Sequence, residues 1–262
     1  MENKKKVIFI TGAFVSHACW NNWIDYFGEH GYEAVAPPWP FKDGTARVLR
    51  DRQPYDTGLA DLTLKEVTDY YASIARDMDE KPVIIGHSLG GLIAQILINR
   101  DLGIAGAAIH PIPPQGVFPY EFKFLKSTWG VLGLFTSLKK TYLMPFEGFQ
   151  RAFVNGLPLN VQQADYDKYA IPESKRVARG GLTSAAAVDF NKEHPPLLIT
   201  SGGIDNLIPV HLIKRIYKKY KQNNSITDYR EFPKSNHSVL TQPGSWKEEA
   251  DFVLEWLKLA VN

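Results

Sequence analysis

The chain has 262 residues, and its 30 basic and 28 acidic side chains leave a net charge of +2. This length is ample for one large domain with a full hydrophobic core. A single cysteine, Cys19, excludes an internal disulfide, and no cluster of cysteine and histidine has metal-ligand spacing, so we predict neither a metal nor another cofactor. The densest basic stretch, residues 214–221, has its apolar residues spaced as one face of a surface helix, which argues against a nucleic-acid partner.

The N-terminal part predicts two short strands and a helix. Residues 7–10 form an apolar run typical of a buried strand, and residues 31–36 form a second one that ends at prolines. Thr63 followed by Glu66 is a capping box that starts a helix. The basic run 4–6 resembles the start of a signal peptide, but its removal would delete the first strand, so we expect it to be structural. No apolar stretch reaches the roughly 18 residues of a membrane span, and we expect a cytoplasmic protein.

Residues 86–91, Gly-His-Ser-Leu-Gly-Gly, lie between a predicted strand, 81–85, and an apolar run, 92–98, that continues as a helix. This is the context of a G-x-S-x-G nucleophile elbow, in which a tight turn leaves no room for a neighbouring Cβ and presents the serine Oγ above the sheet. Ser88 is therefore the candidate nucleophile, although the motif alone also fits a serine that caps a helix. The other elbow positions are Gly86, His87 and Gly90.

A serine nucleophile needs a histidine base and a carboxylate that orients it. Residues 196–200 predict a buried strand, and Asp205 follows it in a glycine-rich loop. Residues 227–232 alternate like a last strand, and His237 follows in the next loop, before a final amphipathic helix over about 246–261. Both side chains are expected at the carboxyl ends of parallel strands, where such sheets collect their functional groups.

Other acids and histidines fit these roles less well. Asp189 precedes its strand and Asp228 lies inside one, so neither is in a loop at a carboxyl end. His87 is adjacent to the serine and is expected to point away from it. His110 follows the predicted strand 105–109, and we expect it to line the rim of the pocket.

The three motifs together resemble those of the α/β-hydrolase superfamily, and the similarity runs over almost the whole chain. The resemblance implies an α/β fold with a mostly parallel, doubly wound sheet, formed by residues 1–110 and 184–262. It also implies a helical cap, residues 111–183, inserted between the two parts of this core. It identifies the chain as a serine esterase or lipase-like member. Carried over by position, the implied nucleophile, acid and base are Ser88, Asp205 and His237.

An oxyanion hole is the third requirement. One donor is expected to be the backbone N–H of Leu89, directly after the nucleophile. The second comes from the loop after the first strand, where Ala13 is the preferred donor and Phe14 the alternative. Members of the superfamily usually carry His-Gly at this strand end, whereas this chain has Thr11 and Gly12. We expect Thr11 to brace the loop by hydrogen bonding in place of the histidine.

The implied cap is rich in aromatic residues and breaks the strand–helix alternation. We expect most of these residues to pack the cap onto the core and the remainder to line an apolar pocket. Arg151 is a possible anchor for a charged group, but we interpret it as a surface residue. The aromatic residues are Phe118, Tyr120, Phe122, Phe124, Trp129, Phe135, Tyr142, Phe146, Phe149 and Phe153.

The resulting hypothesis is a Ser-His-Asp hydrolase that cleaves a small apolar carboxylic ester through an acyl-enzyme. A serine at the elbow argues against dehalogenation, for which the family uses an aspartate. Two alternatives remain open. Residues 12–20 resemble the loop of plant hydroxynitrile lyases and methylesterases, with a spacing two residues longer and no matching cap lysine, so a cofactor-free lyase is one. The other is a ligand receptor with a retained triad. The sequence leaves the oligomeric state open.

Overall fold

Six parallel strands form the centre of the fold. The computed structural model describes residues 4–220 and 225–261, and in this part of the chain the strands lie in the order β2-β1-β3-β4-β5-β6. Each neighbouring pair is parallel, which confirms the predicted α/β fold. The strands are β1 Lys6–Ile10, β2 Glu33–Val35, β3 Val83–His87, β4 Ala105–Ile109, β5 Leu197–Gly202 and β6 Thr227–Phe232.

Helices cover both faces of this sheet. They are α1 Asn21–Glu29, α2 Ala46–Asp51, α3 Thr57–Asp61, α4 Leu64–Asp77, α5 Leu89–Asn99, α6 Phe122–Leu132, α7 Phe146–Ala152, α8 Leu159–Tyr169, α9 Lys175–Gly180, α10 Val210–Lys219 and α11 Ser245–Ala260. Alternate residues of β1 face opposite sides, as a pleated strand requires. Val7 and Phe9 belong to the hydrophobic cluster that contains the apolar residues of α1, α10 and α11, whereas Ile8 and Ile10 belong to the one that contains those of α4 and α5. The sheet is therefore doubly wound, with a hydrophobic layer on each face.

The predicted element bounds agree closely with the structure. Strands β4 and β6 have the predicted bounds, and β2 is shorter than the predicted 31–36. The capping box also forms, because Thr63 Oγ1 accepts a hydrogen bond from the Glu66 N–H and the Glu66 carboxylate accepts one from the Thr63 N–H. The helix predicted from the basic stretch is α10, while Lys221 at its end lies outside the described residues. In the described chain, no helix has both the length and the apolar character needed to cross a bilayer.

The segment 111–183 contains α6 to α9 and interrupts the alternation of strands and helices, as predicted. The expectation that most of its aromatic residues pack against the core is wrong. Half of the ten are 61–92% exposed, because α6 and the chain on either side of it turn one face to solvent. The exposed residues are Phe118, Tyr120, Phe122, Trp129 and Phe135, and the fully buried ones are Phe124, Phe149 and Phe153.

Candidate active site

Ser88 lies in a strained turn between β3 and α5. Its φ of 57° is in the left-handed region, and its side chain makes no capping hydrogen bond to α5. The glycines beside it are required by packing. A Cβ on Gly86 would lie 1.9 Å from the carbonyl oxygen of Gly90, and a Cβ on Gly90 would lie 2.1 Å from the carbonyl oxygen of Ile10. The turn therefore has the geometry of a nucleophile elbow, and the capping interpretation does not fit.

The structure brings the three sequence-predicted residues together. His237 Nε2 lies 3.0 Å from Ser88 Oγ, and His237 Nδ1 lies 2.7 Å from Asp205 Oδ2. All three residues are buried. Because an ionised carboxylate only accepts hydrogen bonds, Nδ1 of His237 carries the proton that it donates to Asp205. Nε2 is then free to accept the hydroxyl proton of Ser88.

Asp205 is held by backbone as well as by side chains. Its Oδ1 accepts hydrogen bonds from the N–H groups of Leu207 and Ile208, both at 2.8 Å. Burial acts to raise the pKa of Asp205, but the nearby His237 and the hydrogen bonds from His110 and His237 outweigh burial and hold this pKa well below its usual value. The carboxylate therefore remains ionised throughout the neutral range. The rival acids are elsewhere, since Asp228 accepts a hydrogen bond from Trp256 Nε1 at 2.7 Å and Asp189 is exposed.

His110 is a second histidine on the same carboxylate. Its Nδ1 lies 3.1 Å from Asp205 Oδ2, and its Nε2 lies 3.6 Å from Glu249 Oε2 at the start of α11. The prediction that His110 lines the pocket rim is wrong, because it is fully buried and a Cβ on Gly202 would lie 2.6 Å from its ring. Burial acts to lower the pKa of His110, but the carboxylates of Glu249 and Asp205 outweigh burial and raise it to about 9. At neutral pH, His110 is a buried cation between two carboxylates.

His87 contacts His237 from another side. Its Nε2 lies 2.8 Å from the backbone carbonyl oxygen of His237, and the two rings are 4.7 Å apart. Burial, followed by repulsion from His237 and His110, holds the pKa of His87 well below its ordinary value, so the ring is neutral and donates this hydrogen bond. The three histidines bring one ring nitrogen each within 4.8 Å of one another. A metal ion there would compete with Ser88 or Asp205 for His237, because both nitrogens of His237 already face these partners.

Two backbone N–H groups near Ser88, those of Leu89 and Ala13, donate no hydrogen bond to any described residue. Leu89 is the first residue of α5, so its N–H has no acceptor within the helix. The loop after β1 packs directly against the serine, since a Cβ on Gly12 would lie 2.7 Å from the Ser88 Cβ. In this loop the Phe14 N–H donates to Glu173 Oε2 at 3.0 Å. The Ala13 N–H makes no hydrogen bond with any described residue.

Glu173 anchors the loop that carries Ala13. Besides the Phe14 N–H, its carboxylate accepts the N–H of Ser174 at 2.8 Å and pairs with Lys42 Nζ at 2.6 Å. Both side chains of the ion pair are buried, and the Lys42 ammonium also lies 3.7 Å from the centre of the Trp39 ring. Burial lowers the pKa of Lys42, and the charge of Glu173 opposes this shift.

The expected bracing role of the Thr11 hydroxyl is wrong. Thr11 Oγ1 is buried without a hydrogen-bond partner in the described chain. Only its backbone carbonyl takes part, as the acceptor for Trp39 Nε1 at 3.0 Å. Sequence analysis missed Glu173 and Lys42, which lie far from each other and from the loop in sequence and match no motif. Glu249 had a detectable signal, because it lies on the apolar face of the final helix with Val253 and Leu257.

An apolar cavity of about 180 Å³ opens at the two candidate donors and extends beneath α6 and α9. Ala13, Phe14 and Leu89 line its near end. The rest of its lining includes Ile112, Val117, Phe118, Phe124, Thr128, Val131, Leu132, Ala178 and Leu182. With so few polar atoms, the cavity suits a hydrocarbon group rather than a charged one.

The sequence model of the alpha/beta hydrolase family matches residues 7–247 of this chain. The chain belongs to this family. Its fold is similar to that of a methylesterase from Arabidopsis, at 13% identity over 97% of this chain and 99% of the other, with a TM-score of 0.68. It is also similar to that of an extracellular alpha/beta-hydrolase from a Paenibacillus species, at 17% identity over 96% of this chain and 98% of the other, with a TM-score of 0.70.

A third similar structure is a monoacylglycerol lipase from Paleococcus ferrophilus, at 16% identity over 96% of this chain and 93% of the other, with a TM-score of 0.67. No curated protein matches the sequence. Identities this low establish a shared fold. Membership of a hydrolase family whose structural relatives include esterases and lipases supports hydrolase activity for this chain.

Proposed function

We propose that the protein is a serine hydrolase that cleaves small carboxylic esters with an apolar acyl group. The observation that carries this proposal is the continuous hydrogen-bonded chain from Ser88 through His237 to Asp205, at 3.0 and 2.7 Å, next to an apolar cavity. In this proposal residues 111–183 act as a cap over the core formed by residues 1–110 and 184–262.

In the first half-reaction, His237 Nε2 takes the hydroxyl proton as Ser88 Oγ attacks the ester carbonyl carbon. Asp205 holds the His237 ring in the correct tautomer and stabilises the imidazolium that forms. The oxyanion is bound by the backbone N–H groups of Leu89 and Ala13. His237 then donates its proton to the alcohol oxygen, the carbon–oxygen bond breaks, and the acyl group remains on Ser88.

In the second half-reaction, His237 accepts a proton from water, and the resulting nucleophile attacks the carbonyl carbon of the ester bond between the acyl group and Ser88 Oγ. The oxyanion forms again at the Leu89 and Ala13 N–H groups. Collapse of this intermediate breaks the bond to Oγ. Transfer of the proton back to Ser88 Oγ releases the carboxylic acid and restores the resting enzyme. All proton transfers in this cycle pass through one histidine.

The cavity and the structural relatives support an ester with hydrocarbon character, ahead of a thioester or an amide. The cavity begins at Ala13 and Leu89, so an acyl chain bound in it would have its carbonyl group at the proposed oxyanion hole. Two of the similar structures are of proteins named as a methylesterase and a monoacylglycerol lipase.

The deciding experiment is the hydrolysis of p-nitrophenyl butyrate by the wild type and by Ser88→Ala. We expect the variant to lose turnover on the order of a million-fold, because loss of the nucleophile leaves only binding and the oxyanion hole. A fluorophosphonate probe should label the wild type and leave the variant unlabelled, while thermal unfolding checks the fold. A variant that keeps more than a few per cent of wild-type turnover would refute the assignment.

The same preparation separates the two alternative functions. A receptor with a retained triad would give a burst of about one equivalent of p-nitrophenol and little turnover after it. A lyase would release cyanide from an aromatic cyanohydrin and show no sustained ester hydrolysis. Steady turnover of the ester with no cyanide release is the expected result.

A further inference from the structure

The outer side of α6 and the chain flanking it form a patch of exposed apolar side chains. Its members are 44–92% exposed, which is unusual for so many large apolar residues within one short segment. We call this surface the α6 patch. It consists of Phe118, Phe122, Leu125, Trp129, Leu134 and Phe135.

Helix α6 has two apolar faces, and only the inner one is covered. Phe124 and Val131 point inward and line the apolar cavity. Phe122, Leu125 and Trp129 follow the spacing of one helical stripe on the outer side and are largely exposed. Phe122 and Trp129 also line an open groove between α6 and α7. A helix that is apolar on both sides is expected to be covered on both sides. We therefore expect another molecule to cover the outer stripe.

The charges around the patch are mostly positive. Residues 115–140 contain four lysines, all exposed, and one acidic residue, Glu121. The Glu121 carboxylate is buried and pairs with Arg215 at 2.6 Å, so it does not offset the lysines at the surface. The four are Lys123, Lys126, Lys139 and Lys140. The groove that Phe122 and Trp129 line against α7 adds one exposed acid, Glu147, and one arginine, Arg151.

We propose that the α6 patch docks on an anionic phospholipid bilayer. Phenylalanine, leucine and tryptophan on one surface with lysines between them are the composition of an element that lies in the lipid interface and pairs its cations with lipid phosphates. A second copy of the chain is a poorer occupant, because a face-to-face pair would bring the two sets of lysines together. Docking would leave the inner face of α6, and the cavity beneath it, directly behind the lipid surface.

This surface also has a consequence for substrate supply, which rests on the proposed ester hydrolysis. An apolar ester concentrates in a bilayer. Docking would therefore bring the cavity to the membrane, where the ester is most abundant. Docking itself does not depend on catalysis. We therefore test it with Ser88→Ala, so that failure of membrane binding and failure of the proposed hydrolysis are separate results.

The experiment is flotation of Ser88→Ala with vesicles of phosphatidylcholine, with or without phosphatidylglycerol. We expect binding to the mixed vesicles that weakens as salt is added, and little binding to pure phosphatidylcholine. Among the six tryptophans, all within the described chain, Trp129 is the only one that is largely exposed. Docking should therefore shift tryptophan emission to shorter wavelength, and Trp129→Ser should abolish the shift.

Matched charge variants decide whether the patch is the docking site. Each lysine near an anionic surface contributes roughly a five-fold change in partitioning, equivalent to about 1 kcal/mol. Replacing Lys126 and Lys139 by glutamate should therefore weaken binding by about 25-fold or more. The control replaces Lys218 and Lys219 on α10, also exposed, and should change binding much less. Equal losses in both pairs, absence of vesicle binding, or a concentration-dependent dimer without vesicle binding would each overturn the proposal.

Discussion

The Glu173 carboxylate accepts the backbone N–H of Phe14 at 3.0 Å, and this bond fixes the residue after Ala13. Phe14 has a φ of 69°, a conformation that a non-glycine residue keeps only when its surroundings hold it. The same carboxylate is paired with buried Lys42. The orientation of the proposed second oxyanion donor therefore depends on an ion pair outside the proposed catalytic triad.

Glu173→Gln should lower kcat by up to the hundred-fold typical of losing one oxyanion donor, with a smaller change in KM. The substitution also leaves Lys42 buried without its partner, which should reduce the free energy of unfolding by about 3 kcal/mol. The double variant Lys42→Met/Glu173→Gln removes both charges and should recover much of this stability. If the double variant recovers both the stability and the full kcat, the only role of Glu173 is to support the fold, and it does not position the loop that carries Ala13.

Asp205→Asn should reduce turnover by about four orders of magnitude while substrate binding changes little. The reason is that an asparagine amide in this position favours the wrong tautomer of His237. Asp228→Asn and Asp189→Asn are the matched controls, because Asp228 is bound to Trp256 and Asp189 is at the surface. Steady-state kinetics on one ester compares all three. A large loss in either control, with Asp205→Asn close to wild type, would assign the acid to a different residue.

His110 should make stability depend on pH. Its pKa is raised in the folded protein from 6.5 to about 9, so its contribution is fully present below about pH 6.5 and is lost as the pH rises through about 9. The shift corresponds to about 3 kcal/mol for this buried group. Urea unfolding between these pH values should show a falling free energy of unfolding in the wild type and a flatter dependence in His110→Gln.

The same variant should also change the pH dependence of kcat/KM. Protonated His110 repels a second proton in the Asp205–His237 pair. Replacing His110 should therefore shift the loss of kcat/KM at acidic pH, the acid limb of the profile, to higher pH. Glu249→Gln is the companion variant, because it removes a carboxylate that raises the pKa of His110. Identical stability slopes and identical acid limbs in wild type and His110→Gln would show that His110 is neutral in the folded protein.

The sequence predicted the sheet and the central residues because their signals are local. A buried strand, a turn that needs glycine and the start of a helix occupy a dozen consecutive residues around Ser88. Asp205 and His237 each follow a strand within five residues, which also places them in loops at the carboxyl ends of strands. The contacts between the supporting residues carry no such signal, even where one residue, Glu249, is unusual by itself. His110, which follows β4, lies between the carboxylates of Asp205 and Glu249, and this arrangement becomes visible only when the chain folds.

The exposure of the α6 segment was also beyond sequence reasoning. Aromatic residues are normally buried, and composition alone places Phe122 and Trp129 in a core. Which side of α6 faces the body is set by the packing of Phe124 and Val131 around the cavity. That packing depends on contacts with distant residues such as Ala178, which no local pattern predicts.

The cavity should set a preference for acyl chain length. Each methylene buried in it adds about 0.8 kcal/mol, so kcat/KM should rise a few-fold per carbon from acetate through butyrate and hexanoate, and then fall once the cavity of about 180 Å³ is full. Val131→Phe adds bulk to the cavity wall and should move the optimum to a shorter ester. Leu134→Phe, on the exposed side and outside the cavity lining, should leave it unchanged. A flat profile in the wild type, or the same optimum in Val131→Phe, would mean that the acyl chain binds elsewhere.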